Sequence, residues 1–358
     1  MRKHLLANLL LLCFSTAVTL VASEYAFRWV LFSGLPMLER FKQPYHFAYT
    51  YEENYWKLYH LWGGKYQGPA TPHPLLGWVG YFSRETYLHD DEGQLGERQP
   101  ILLYGDSFAQ CASAASGECF HQILNSNPSF AGSRYMLNYG VGGYGLDQML
   151  LLLRETLPLY KRAMAIVGVF TDDLDRSVMG FRIGQKPYFE LDGRGLQLHG
   201  VPIDPDPVRY LNDHPVDIRS YLLQFVLHSN HAPRVLVDYL AGRAIQKIES
   251  IGTRLLEGTI EHLRARNIPF LFIIFSSLDE MQSDTRSWRE ALLVRTLEEH
   301  RVPFIASKEL IRKAAQEQNK KVADFFLAED MHPTAEQNRI ISSAISDAIS
   351  RGTFCCAK

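Results

Sequence analysis

The sequence predicts an α/β protein organised around a mainly parallel sheet. Three observations point there. Unbroken apolar runs recur near 100–104, 163–170 and 269–275, the pattern of strands buried on both faces. Segments with apolar residues on a helical repeat lie between them, so strand and helix alternate along the chain. Glycine or small polar residues follow apolar runs directly, at Gly105, at Gly140 and at Thr171-Asp172-Asp173.

Length and composition suit that class. The 358 residues exceed one average domain, and one main α/β domain carrying an insertion accounts for them. Hydrophobic residues make up 46%, ample for a core, and a net charge of −2 without runs of like charge argues against a nucleic-acid partner.

Arg2, Lys3 and His4 precede 5–22, a mostly apolar stretch without a charge. A secretory signal core usually has about 7–15 residues and a spanning helix about 17–25, so the length favours an anchor. The basic flank keeps its own side in the cytoplasm and sends the rest outward. Tyr25, Phe27 and Trp29 suit the membrane interface, while Val21-Ala22-Ser23 offers a small-residue cleavage site. The expectation is a single-pass protein of a bacterial inner membrane with its main domain in the periplasm, or else a chain secreted to the periplasm after cleavage. A buried helix of a soluble protein is the third reading.

From Phe41 to Arg98 the chain is rich in Tyr, Trp and His. A helix is expected over 52–62 and an extended segment over 73–78. These aromatics suit a sugar-binding surface or simple packing over the core. Beyond Gly105 the expected order is helix 118–125, strand 134–138, helix 147–160 and strand 163–170. Segment 182–240 breaks the rhythm with a hairpin, 186–191 and 196–199 about Asp192-Gly193-Arg194-Gly195, because Asp-Gly supplies the turn conformation. The proline-rich run 201–207 and a helix over 220–228 follow. The alternation resumes with helix 241–267, strand 269–275, helix 285–300, strand 302–306 and helices 308–319 and 334–350. The chain thus divides into an anchor or signal segment (1–32), a lead-in (33–98), a main domain (99–352) with an insertion (182–240), and a tail (353–358).

Five cysteines form no framework. Cys13 lies in the apolar run and Cys355 and Cys356 adjoin in the tail, leaving Cys111 and Cys119 about a loop. In an oxidising compartment those two are candidates to bridge. A single helix over 111–119 would forbid it, since eight helical steps span roughly 12 Å and a disulfide needs Cα atoms within about 7 Å. No Cys-x-x-Cys, Cys/His or His-x-x-x-His spacing suggests a metal, and no cofactor is expected.

The apolar run at 100–104 ends in Gly105-Asp106-Ser107, which places a serine where open α/β sheets bind ligands. Far along the chain, Glu329-Asp330-Met331-His332-Pro333 puts two acids near one histidine, the pairing that makes a serine nucleophilic. Between them lie the glycine-rich 140–145 and Thr171-Asp172-Asp173-Leu174.

In this order of motifs the chain resembles the SGNH, or GDSL-type, hydrolases over roughly 77–350. The resemblance implies a three-layer α/β/α sandwich of flavodoxin-like type and a serine esterase with Ser107 as nucleophile, His332 as base and Asp330 as the acid. Glu329 is the alternative acid, at the family's commoner spacing. Asp106 is expected to fix the turn through backbone amides. The oxyanion donors implied are the amides of Ser107 and Gly143, with Asp172 standing where the family has asparagine. A carboxylate there must be protonated or turn away, and Asn138 is a conceivable substitute. The substrate implied is an acylated carbohydrate of the envelope or another small ester. Transfer of the acyl group to a sugar hydroxyl and a catalytically weak scaffold of polysaccharide assembly are the alternatives.

Overall fold

The computed structural model describes residues 2–64, 66–228 and 234–356. Five apolar segments form one sheet: β1 (Gln99–Gly105), β2 (Arg134–Gly140), β3 (Met164–Phe170), β4 (Phe270–Phe275) and β5 (Phe304–Ala306). Across the sheet the order is β2-β1-β3-β4-β5, and every pairing is parallel. The chain therefore winds outward in opposite directions from β1 and β3, and the carboxyl ends of these two strands flank the crevice where such sheets bind ligands.

Helices lie on both faces, and strand alternation decides which residues meet them. Ile101 and Leu103 point to one side, joining Met136, Ile166 and Ile273 with Phe120, Ile311 and Ile341 from the helices Phe120–Ser126, Ser307–Glu317 and Ala335–Ser350. Tyr104 points to the other, its hydroxyl 2.7 Å from Thr156 Oγ1 at the end of the helix Leu146–Thr156. Each fully buried aliphatic side chain contributes about 1.5–3 kcal/mol of transfer free energy.

Two expected elements are shorter than their apolar patterns, for a common reason. The helix expected over 147–160 stops at Thr156 and a 3-10 turn, Leu157–Leu159, follows, because Pro158 has no N–H to continue the ladder. The strand expected over 302–306 begins only at Phe304, after Pro303. The hairpin forms as Tyr188–Asp192 against Gly195–His199, antiparallel. Cys355 in the tail exchanges backbone hydrogen bonds with Phe270 at 2.8 and 3.2 Å.

The chain divides into two compact units, Gly68–Pro205 with Ile245–Lys358, and Met1–Gln67 with Asp206–Ala244. The sheet, the hairpin and the lead-in from Gly68 belong to the first. The expected insertion is thus shared between the two units.

In the second unit one helix, Arg2–Phe32, contains the apolar run. Its 29-residue stretch His4–Phe32 is long and apolar enough to cross a membrane, spanning roughly 43 Å against about 30 Å of hydrocarbon. The helix continues past Ala22 because its last turns have folded partners. Glu24 accepts hydrogen bonds from the Tyr221 and Leu222 amides at 2.9 and 3.0 Å, capping the helix Tyr221–His228. Leu31 is buried with Phe47, Leu58, Ile218 and Tyr221, and Phe41 and Trp62 pack against this cluster.

Candidate active site

Ser107 opens a single helical turn, Ser107–Gln110, at the carboxyl end of β1. Gly105 makes the turn possible by close approach: a Cβ there would sit 2.4 Å from Ala109 Cβ and 2.5 Å from the Gly168 carbonyl oxygen on β3. Asp106 caps the turn, its Oδ1 accepting from the Phe108 amide at 2.9 Å. Its Oδ2 accepts from Arg176 Nη1 at 2.6 Å and lies 3.4 Å from the Ser107 hydroxyl.

His332 and Asp330 lie on the loop before the helix Ala335–Ser350, and with Ser107 they line one pocket of about 310 Å³. Asp330 Oδ2 is 2.9 Å from His332 Nδ1. The contact is close but off the line of the ring N–H, so Nδ1 lacks an aligned hydrogen bond. Asp330 Oδ1 accepts from the His332 amide at 3.1 Å, and Oδ2 also accepts from the Ser113 hydroxyl. The Ser113 hydrogen bond holds the Asp330 carboxyl below the usual carboxylate range. Glu329, exposed, is outside the pocket lining. Phe108 and Phe170, stacked 4.3 Å apart, form the apolar wall, and the Phe108 ring lies 5.6 Å from that of His332.

Two arginines also line the pocket. Arg176, buried, donates to Asp106 and to Asp173 Oδ1. Burial opposes its charge, yet the carboxylates of Asp173 and Asp106 outweigh this and hold Arg176 above the ordinary guanidinium range. Burial pushes Arg182 down to about 9, and neighbouring Arg176 adds to the push. Sequence reasoning missed both. The signal for Arg176 was present in its spacing, three residues after Asp173 on one helical turn. Nothing local marked Arg182.

The implied oxyanion residues separate. Asp172 stands outside the pocket lining, its side chain 53% exposed and 3.8 Å from Arg289 Nε. Of the two expectations for a carboxylate there, protonated in place or turned away, this placing fits the second, and Arg289 makes its closer ion pair with Asp175 at 2.6 Å. Asn138 is corrected, for its buried amide donates to the Ala109 carbonyl at 2.9 Å and its Oδ1 accepts from the Gly140 amide, which fixes a turn and not a ligand. Gly143 has φ +83°, and a Cβ on it would lie 2.5 Å from Ile183 Cδ1 and 2.9 Å from Arg182 Nη1. Gly142 is the glycine beside the serine, the direction of its missing Cβ reaching within 3.8 Å of Ser107 Cβ. Its amide donates to Gln110 Oε1 at 2.9 Å and its carbonyl accepts from Trp78 Nε1 at 3.0 Å, so the loop is held from both sides.

Cys111 and Cys119 are bridged, with Cα atoms 5.6 Å apart. The single-helix alternative fails because Cys111 ends the Ser107 turn in a left-handed conformation, φ +59°. The two sulfurs and an imidazole nitrogen of His121 lie within 4.8 Å of one another, both sulfurs being engaged in the bridge.

Fold and pocket together define an α/β protein with serine, histidine and aspartate side chains at the carboxyl edge of a parallel sheet. No family model matches the chain, and no curated protein matches it. Solved structures that it is similar to include a lipolytic protein of the G-D-S-L family from Veillonella parvula (12% identity, 71% of this chain and 99% of that chain, TM-score 0.35). Two others are the esterase EstA from Pseudoalteromonas (11%, 71% and 98%, TM-score 0.39) and the acetyl xylan esterase AlAXEase (11%, 70% and 99%, TM-score 0.40).

Proposed function

We propose that this chain is a serine esterase of SGNH type, anchored in a bacterial inner membrane, that removes an acyl group from an envelope carbohydrate in the periplasm. The observation that supports it is the meeting of Ser107, His332 and Asp330, parts of the chain more than two hundred residues apart, in one pocket. Ser107 Oγ attacks the ester carbonyl while His332 Nε2 takes its proton, and the acyl-serine and the alcohol form as the imidazolium returns that proton to the leaving oxygen. Water then repeats the sequence on the acyl-serine. Asp330 holds the ring and stabilises its positive charge.

The developing oxyanion needs donors aimed at it, each worth about 10²–10³ in rate. The Ser107 and Gly143 amides are the proposed donors, and Arg182, which lines the pocket, lends positive charge there.

A fluorophosphonate probe tests the reading. Labelling of the native protein that is lost in Ser107→Ala supports it, and absence of labelling refutes it. Acetate release from an acetylated glycan, with and without a second glycan as acceptor, separates hydrolysis from acyl transfer.

A further inference from the structure

The bridged loop 111–119 begins where the Ser107 turn ends, and it carries Ser113 in a left-handed conformation, φ +67°. Such backbone is uncommon for residues other than glycine and persists where surrounding contacts over-determine it. Two contacts do so here. One is the Cys111–Cys119 bond, and the other is the hydrogen bond from the Ser113 hydroxyl to Asp330 Oδ2, across 217 residues of sequence.

The oxygen that Ser113 engages is the one 2.9 Å from His332 Nδ1. Asp330 is a third exposed and stands on a loop, where a lone carboxylate would sample several rotamers. Among the described residues its other oxygen is tied to the main chain of the same loop alone, at the His332 amide. Ser113 is thus the side chain, among those with a hydrogen bond to Asp330, that fixes the carboxylate from a different part of the fold.

We propose that Ser113 is a positioning residue for the acid of the triad, and that the Cys111–Cys119 bond is the tether that keeps it there. This rests on the catalytic reading of Ser107, His332 and Asp330. A dithiol would undo the tether: one thiolate attacks a bridge sulfur to give a mixed disulfide and a cysteine thiolate. The second thiol then closes on the reductant, which leaves oxidised as the protein gains two thiols. Asp330 then loses its external partner and the imidazolium its fixed counter-charge.

The test uses the full chain in detergent, with p-nitrophenyl acetate turnover and fluorophosphonate labelling as readouts. Ser113→Ala is expected to lower kcat 5- to 20-fold with KM within twofold, and to slow labelling by the same factor. Ser113→Asn, which tolerates left-handed backbone and keeps a donor, is expected to recover most of the loss. Dithiothreitol is expected to slow the wild type to a similar degree but to have little further effect on Ser113→Ala, because both act through one contact. Turnover of Ser113→Ala within twofold of wild type overturns the proposal. So does an equal loss on reduction in both proteins, which would give the bridge a separate role. If the oxidised wild type shows no labelling that depends on Ser107, the catalytic reading itself fails and this one with it.

Discussion

Arg176 Nη1 lies 2.6 Å from Asp106 Oδ2, and so joins the turn after β3 to the turn that presents Ser107. The same nitrogen donates to Asp173, whose Oδ2 accepts from the Phe170 amide at 2.8 Å. One buried cation therefore faces two fully buried carboxyl groups at the point where β1 and β3 diverge, and burial, with the Asp106 charge beside it, pushes Asp173 well above the usual carboxylate range. Removing one partner of such a group strands charge in low dielectric and costs about 3–5 kcal/mol. Arg176→Met is expected to lower the unfolding free energy measured in urea by that amount, and adding Asp106→Asn to restore part of it. A loss below about 1 kcal/mol would mean that the carboxyls are neutral and the guanidinium dispensable.

The glycine loop gives a second contrast. At Gly143 a methyl group meets Ile183 at 2.5 Å on a backbone of φ +83°, whereas at Gly142 the nearest atom is the tip of Gln110, 3.1 Å away. Gly143→Ala is expected to be destabilised by about 1–3 kcal/mol through strain and overpacking. Gly142→Ala is expected to fold close to normally. Thermal denaturation of the two variants decides it, and equal stability would contradict the backbone geometry of the loop.

How far the sequence could be read depended on whether a residue's role was set locally. The strands were legible because a parallel strand buried on both faces needs an unbroken apolar run, as at 163–170. That Ser107 and His332 line one pocket could be expected because each follows a motif that fixes its own backbone, Gly-Asp before one and the acid loop before the other. Between Glu329 and Asp330 the choice was open in sequence. It turns on which side chain reaches His332 Nδ1, and Asp330 is the one 2.9 Å away. Which way Asp172 would turn was left open, since its neighbour Arg289 lies 117 positions on and carries no local mark. Ser113 was hidden for the same reason, its partner being in the last loop of the fold.

His121 makes a pH-dependent prediction. Its Nδ1 is 3.0 Å from Asn138 Nδ2, which donates, so that nitrogen accepts and the ring is neutral. Burial pushes His121 down to about 4, with His89 adding to the effect. An unfolded histidine titrates near 6.5, so between these values the unfolded chain binds the extra proton. Stability then rises with pH across that window, and it is lost as the pH falls from about 6.5 towards 4, by an amount on the order of 1–3 kcal/mol. In urea unfolding at pH 7 and pH 4.5, His121→Gln is expected to lose less stability than wild type on acidification. Equal losses would show that the ring accepts its proton in the folded state as readily as in the unfolded one.

Asp172 and Arg182 make opposite predictions about the oxyanion. Asp172 takes the place that the family resemblance gives to an asparagine donor, yet its carboxylate lies 3.8 Å from Arg289 and outside the pocket lining, while Arg182 lines it beside Gly143. If turnover depends on positive charge at that face, Arg182→Gln should lower kcat by about 10- to 100-fold, roughly 1.4–2.7 kcal/mol of transition-state stabilisation. Its KM for a neutral acetate ester should change little, because the charge it stabilises appears only as the carbonyl is attacked. Asp172→Asn should leave kcat within about threefold, since the side chain it alters does not reach the reacting atoms. Steady-state kinetics on the two variants separates the cases: a tenfold loss in Asp172→Asn with Arg182→Gln unaffected would return the third donor to position 172 and require the loop to turn inward when substrate binds.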